Sequence, residues 1–383
     1  MLSDAQISEL RSHFPILKNT TYLYNCSQGA LSDAVEGGMA AYMESWRTSR
    51  APWEEWMQCY EALRVDFARF INAQPEEVAI VTSASAGINP IANALRFDPG
   101  KRNRVVMSEY EFPTMAHIWL AQRPRGAQIQ FLDGVNQAVP AEFYESAVDE
   151  RTLIVPLTQV SFVNGYRADV ARIAKIAHTQ GALLFLDGYQ DCGTRPLDVK
   201  ALDVDFFVTG TLKYLLGPAG LGFLYVRREL IETLTPTMTS WMAQRETFAF
   251  KTKCLDLSPD ARRFEGGSPS VPNIYAARPA LQLLMNVGMD QVAGQIERLT
   301  RAFLKGVQEL GIETKTPATS VGPLVVLRSV DAAAMLARLT ARGIVASTRR
   351  DGVRFAFHVY NTLEDVGAAL SAIEDNLDLM VRT

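Results

Sequence analysis

Apolar positions along this chain gather into short uninterrupted runs, each followed by a stretch with helical spacing. Runs at 78–81 (VAIV), 104–107, 127–131, 152–158, 182–186 and 205–209 (DFFVT) have the length of strands and little polar alternation. Runs of this kind are buried on both faces. Their alternation with helical pattern predicts an α/β fold with a mostly parallel sheet covered on both sides. Helical spacing is predicted over 33–72 around an Arg50-Ala51-Pro52 break, over 140–149, and in the stretch ending at His178. Near the start, Ser3 is placed to cap a short helix over 4–13 that Pro15 ends. Residues 21–24 (TYLY) read as a strand opening into the polar loop Asn25-Cys26-Ser27-Gln28-Gly29. Beyond residue 256 the pattern changes. A turn-rich segment from Arg263 to Ser270 precedes helical spacing over 273–310. A strand at 324–327, a helix at 332–342, short strands at 344–346 and 353–357 and a helix from Leu363 follow. The stretch 235–250, which holds Trp241, follows no period.

Length turns this pattern into a domain expectation. At 383 residues the chain exceeds what one compact core holds, so a large and a small domain are expected. The change of pattern puts the large domain at 21–255 and a small α+β domain at 256–383, with 1–20 packing on the small one. Composition is ordinary for a soluble globular protein, at 48% hydrophobic and 21% charged residues. A net charge of −4 leaves no basic patch, which argues against nucleic acid or an anionic membrane as partner. Cys26, Cys59, Cys192 and Cys254 are widely spaced with no C-x-x-C pair, so neither a disulfide framework nor a zinc site is expected. With no signal-like N-terminus and no apolar window of membrane-spanning length, a cytoplasmic protein is expected. Trp46, Trp53 and Trp56 read as core or subunit-interface residues rather than substrate contacts.

Two of the buried runs end in residues that a packed core would not choose. Run 182–186 leads to Asp187 and, three residues on, Gln190. Run 205–209 leads to Gly210, Thr211 and Lys213, then the small turn Gly217-Pro218-Ala219-Gly220. In open α/β sheets, the C-terminal ends of strands are where ligands bind. Lys213 has Phe206, Phe207, Val208, Leu212, Leu215 and Leu216 around it in sequence, and such desolvation lowers an amine pKa as imine formation requires. A lysine that forms an imine and an acid that keeps a pyridine nitrogen protonated are the needs of pyridoxal 5′-phosphate. Upstream, Thr82-Ser83-Ala84-Ser85-Ala86-Gly87 follows strand 78–81 and opens a helix near Ile88. Free N–H groups and the helix dipole make such a turn an anion site, although Ser and Thr cap helices in any protein. A nucleotide-binding reading lacks support, since no G-x-G-x-x-G follows the first strand.

Asp187-Gly188-Tyr189-Gln190, Thr209-Gly210-Thr211-Leu212-Lys213-Tyr214 and Gly217 to Gly222 resemble the cofactor signature of the class V aminotransferase family. That family includes cysteine desulfurases and the isopenicillin N epimerase-like and kynureninase-like enzymes. The resemblance runs from Tyr22 to Thr362. It implies the fold type I architecture of pyridoxal phosphate enzymes: a large domain on a mostly parallel seven-stranded sheet and a small α+β C-terminal domain. It also implies roles by position. Lys213 is the catalytic Schiff-base lysine and Asp187 the partner of the pyridine nitrogen. Ala84 and Ser85 bind the phosphate, and Phe112 in Glu111-Phe112-Pro113 stacks on the ring. Asn164 and Gln190 approach the ring hydroxyl. Thr211 is a further phosphate ligand, with Thr209 competing for that role. Phe264 to Pro269 resembles the segment that crosses a dimer interface, so Ser268 would act on the partner's cofactor in a homodimer that shares its sites. Arg354, in Arg354-Phe355-Ala356-Phe357-His358-Val359-Tyr360-Asn361-Thr362, would hold the α-carboxylate of an amino-acid substrate. A planar guanidinium suits a bidentate carboxylate. Ser27 and Gln28 line the substrate entrance. Arg349 and Arg350 offer either a second anion site or exposed structural charge; His117 and His358 read as structural. No metal is implied.

These roles lead to an imine with the substrate and loss of its Cα proton, with Lys213 as base. Transamination leads because it needs no further group; β- or γ-elimination or replacement, of the C–S lyase type, and epimerisation are the alternatives. Region 318–352 contains no cysteine, so a desulfurase that forms a persulfide on its own mobile loop is not expected. An inactive regulator on the same fold is the alternative of a different class.

Overall fold

The computed structural model describes residues 2–383 and is built on the predicted alternation. Helix α1 (Asp4–Ser12) and the two-residue strand β1 (Thr21–Tyr22) are followed by helices α2 (Asp33–Thr48) and α3 (Trp53–Phe70). Then come β2 (Val78–Val81), α4 (Ala84–Ala94), β3 (Arg104–Ser108), α5 (Pro113–Leu120), β4 (Gln128–Leu132), α6 (Ala141–Ala147), β5 (Thr152–Thr158), α7 (Val170–Thr179), β6 (Leu183–Asp187), β7 (Phe206–Gly210) and β8 (Gly222–Val226). Strands β2 to β8 form a seven-stranded sheet in the order β2-β8-β7-β6-β5-β3-β4. Every neighbouring pair is parallel except the two made by β8, which is antiparallel to both β2 and β7. The GFLYV sequence of β8 sits directly behind a glycine-rich turn, and the periodicity alone names no strand there.

Alternate residues of the central strands feed two cores. Leu184, Leu186 and Phe207 join Phe67 of α3 and Ile173 of α7 on one face. Phe185, Phe206 and Val208 join Ile91 of α4 and Trp119 of α5 on the other. The strands therefore lack polar alternation because both sides are covered.

A short helix α8 (Arg228–Ile231) precedes the aperiodic stretch, which is irregular apart from single 3-10 turns at Trp241–Ala243 and Thr247–Ala249. The expected continuous helix over 273–310 is two helices, α9 (Val271–Val287) and α10 (Met289–Glu309). Gly288 breaks them apart at φ +85°, a backbone state that side chains disfavour. Strands β9 (Leu324–Arg328), β11 (Ser347–Arg349) and β12 (Gly352–Ala356) make an antiparallel three-stranded sheet in the order β11-β12-β9. It packs with α10, α11 (Ala332–Ala341) and α12 (Leu363–Glu374) around Phe303, Phe355 and Leu339. Strand β10 (Ile344–Val345) pairs in parallel with β1. Residues 21–22, assigned to the large domain from sequence, thus hydrogen-bond to the C-terminal part of the chain and not to the seven-stranded sheet. Tyr24 extends the contact by bridging Ala356.

Candidate active site

The parallel pairing of β6 and β7, with Asp187 opposite Val208, brings two strand ends together. Asp187 ends β6, and the chain leaving β7 carries Lys213 three residues later. Both line a cavity of about 260 Å³ together with Ser83, Ala84, Ser85, Phe112, Gln190 and others. Ala84, Ser85, Phe112, Asp187, Gln190 and Lys213, six of the residues picked from sequence, therefore converge on one space.

Lys213 Nζ lies 4.3 Å from the ring centre of Tyr189 and 5.7 Å from that of Phe112. Burial pulls its pKa down to about 8, against the attraction of Asp187, which favours the ammonium form. Asp187 is itself buried, which raises its pKa; the Tyr189 N–H donated to it at 2.9 Å and the charge of Lys213 oppose that rise. Gly29 N–H donates to Leu212 O at 2.8 Å. A Cβ on Gly29 would stand 2.5 Å from Lys213 O, so only glycine lets the N-terminal loop lie against the lysine loop.

The anion end of the cavity is built from helix starts. Ser83 caps α4 by accepting the Ala86 N–H, and Ser85 Oγ donates to Thr114 Oγ1 at 3.4 Å. Phe112 is the N-cap of α5, so two helices begin at this wall, and Ser83, Ser85 and Thr114 line it. Just behind it lies Glu111, buried, accepting Ser108 Oγ at 2.8 Å and the Thr158 hydroxyl. Burial pushes the Glu111 pKa up to about 7.

Other sequence-derived positions fall elsewhere. Asn164 is buried, but its Nδ2 donates to Gln137 O and its Oδ1 accepts the Tyr166 N–H. Its amide closes a loop and does not border the cavity; Phe162, two residues earlier, does, edge-on to Phe112 at 5.0 Å. The Thr211 hydroxyl donates to the carbonyls of Pro218 and Leu221 and holds the glycine turn, outside the cavity lining. Thr209 Oγ1 is buried without a partner and is likewise not at the cavity wall. Ser268 is exposed and lies outside its own chain's cavity. Gln28 is exposed, with its carbonyl accepting Tyr22 OH. Tyr189, Phe162, Thr158 and Thr114 also line the cavity. Only Tyr189, inside the DGYQ segment, carried a readable signal.

Arg354 on β12 is 1% exposed. It donates to Ser347 Oγ at 2.9 Å, to Phe162 O at 3.0 Å and to Ser27 Oγ at 2.8 Å. Among the described residues no carboxylate lies within 4 Å of it, and burial lowers its pKa. His358 is held neutral: Nδ1 accepts the Val359 N–H, Nε2 lies 2.9 Å from Tyr214 O, and burial lowers its pKa to about 4.

A seven-stranded α/β sheet with a buried lysine and acid at adjacent strand ends defines a class of carbonyl-cofactor enzymes, and comparison with known proteins is specific about which. The family model for aminotransferase class-V matches residues 39–368, and this chain belongs to that family. An uncharacterized aminotransferase, YcbU, of Bacillus subtilis is 33% identical over 95% of this chain and 96% of its own length. A cysteine desulfurase of Klebsiella pneumoniae is 30% identical over 79% of this chain and 77% of its own. The solved cysteine desulfurase of Thermococcus onnurineus superposes with a TM-score of 0.87 at 22% identity, covering 97% of this chain and 98% of that one. The cystine C–S lyase C-DES, solved with its product cysteine persulfide, gives 0.86 at 22% over 94% and 99%. The fold is that of the type I pyridoxal phosphate enzymes, and the cofactor of the family is pyridoxal 5′-phosphate.

The residues present fit that cofactor. Lys213 supplies a low-pKa amine, Asp187 a carboxylate, α4 and α5 an anion pocket, and Phe112 an aromatic wall. Gln190 keeps a buried Oε1 with no partner while its Nε2 donates to Cys26 O at 2.9 Å. Cysteine desulfurases stand among the relatives, so family membership alone leaves C–S bond cleavage within reach.

Proposed function

We propose that this chain is an aminotransferase acting on an amino acid. The observation that carries the reading is Arg354, a buried guanidinium with its donors fixed by Ser347, Phe162 O and Ser27 and with no carboxylate of its own. A buried cation without a counter-charge is costly, and an incoming α-carboxylate removes that cost. When bound, pyridoxal 5′-phosphate supplies an aldehyde carbon for the amine and a ring that withdraws electrons. Asp187 would keep the ring nitrogen protonated. Lys213 Nζ, whose pKa burial pulls down to about 8, would be the base that takes up and returns the Cα proton. Phe112, Phe162 and Tyr189 line the cavity beside the amine. The aminotransferase description of the Bacillus subtilis relative supports the choice.

C–S lyase chemistry is the second reading, favoured by the relatives named as desulfurases. Transfer of sulfur to a cysteine on a C-terminal mobile loop is disfavoured, since the last cysteine is Cys254 and 318–352 has none. The active unit in this reading is a homodimer with Ser268 serving the partner's phosphate. An exposed aromatic surface of Trp46, Trp53, Phe248 and Phe250 offers a face for a second copy. The deciding experiment mixes the loaded protein with single amino acids and follows cofactor absorbance. Conversion to the amine form, reversed by a 2-oxo acid, is expected. Release of pyruvate with ammonia or sulfide and no such conversion would replace transamination by the lyase reading.

A further inference from the structure

Antiparallel pairing of β11 and β12 sets Ser347 opposite Arg354 and Arg349 opposite Gly352. Residues two apart on a strand share a face, as do direct cross-strand partners. Arg349 therefore stands on the same face as Ser347 and Arg354, the face that carries Arg354 into the site. Its charge is felt there: it works against the charged forms of both Lys213 and Arg354. Yet Arg349 itself has no acidic partner. Its guanidinium donates only to the carbonyl of Thr348, at 2.9 Å. Asp351, the nearest acid in sequence, is held by Lys315 and Arg328. Among the described residues neither Arg349 nor Arg350 has a carboxylate within 4 Å. Arg350, next in the turn, sits at φ +52°, the left-handed state that the two-residue turn between β11 and β12 calls for.

Like charges gathered at the edge of a site, with no acid among them, are an arrangement that an anion stabilises. The cofactor phosphate has its own place at the starts of α4 and α5, and an α-carboxylate satisfies Arg354. A further anion is wanted on the β11 side. We infer that the preferred substrate is a dicarboxylic amino acid, whose distal carboxylate is received by Arg349 while Arg354 holds the α-carboxylate. The inference rests on the reading of Arg354 given above and narrows it to a substrate class.

The test uses the full chain loaded with pyridoxal 5′-phosphate and reads apparent Kd from the change in cofactor absorbance. Glutamate is compared with glutamine, and aspartate with asparagine, pairs that differ in charge and little in shape. A charge-assisted pair predicts about 10- to 100-fold tighter binding of the dicarboxylate. In Arg349→Gln that ratio is expected to fall close to one. Equal affinities in the unaltered protein, or a ratio that survives Arg349→Gln, overturn the inference while leaving an amino-acid substrate standing. If no amino acid perturbs the cofactor band, the Arg354 reading fails, and this inference fails with it.

Discussion

The chemistry turns on the balance at one amine. Burial lowers the Lys213 pKa to about 8, and the charge of Asp187 acts in the opposite sense. Only the free base attacks a carbonyl carbon, so capture of pyridoxal 5′-phosphate by the cofactor-free protein should speed up through pH 8 and then level off. Removing the Asp187 charge removes an effect that favours the ammonium form. In Asp187→Asn the midpoint of this pH–rate curve should therefore move to lower pH, measured by stopped-flow absorbance; a midpoint that stays or rises would show that the two groups are not coupled. Asp187, Gln190 and Lys213 were legible in the sequence because each breaks the apolar logic of the strand end it follows. Asn164 is harder to read, because a buried polar side chain is as readily held by its own loop as by a ligand, and its amide goes to Gln137 and Tyr166. Phe162 and Thr158 were not legible at all. An apolar ring or a strand-end threonine looks the same in sequence whether it borders a cavity or a core.

Strands and helices of the large sheet followed directly from hydrophobic run length, whereas the closing of its edge did not. Strand β2 is an edge strand, and its outward groups need partners. Arg64 Nη1 donates to Val78 O at 2.6 Å, and Glu265 Oε1 accepts the Ile80 N–H at 2.9 Å, while the two side chains pair with each other. Both are 1% exposed. Residues so far apart in sequence give no local sign that they meet. The pair ties α3, β2 and the segment leading to Ser268 into one unit. Losing Glu265 bares the strand edge and leaves Arg64 only the half-exposed Glu61 as counter-charge, at 3.1 Å, so Glu265→Ala should cost about 1–3 kcal/mol. Arg64→Met together with Glu265→Leu should recover part of that loss. The shift of the denaturation midpoint in urea measures both, and a double variant no better than the single would show that the strand-edge contacts, not the lost ion pair, set the cost. Strand β8 was also hidden from periodicity, because the turn before it uses glycines that read as loop.

At the scale of the whole molecule, the site is assembled from parts that separate cores position. The large sheet supplies Asp187 and Lys213, the small sheet Arg354, and the N-terminal loop Ser27, which reaches the guanidinium because β1 pairs with β10. The remaining expected part, Ser268, is exposed on a loop whose neighbouring glycines, Gly266 and Gly267, have open space around them. If Ser268 serves the phosphate of a second copy, the two sites of a dimer are related by its symmetry, and each needs one lysine and one serine from different chains. Two defective chains can then repair each other. Lys213→Ala keeps a working Ser268, and Ser268→Asp keeps a working lysine but sets a carboxylate against the phosphate. Each alone should bind the cofactor covalently poorly or not at all. Unfolded together and refolded in equal amounts, they should form mixed dimers in which Lys213 of one chain meets Ser268 of the other. Roughly a quarter of all sites would then be intact, counted by the absorbance of cofactor bound to lysine. A serine acting within its own chain predicts no recovery, because the lysine-bearing chain would still carry the aspartate. The size of the species in sedimentation, read on the same mixture, separates a failure of the dimer from a failure of Ser268.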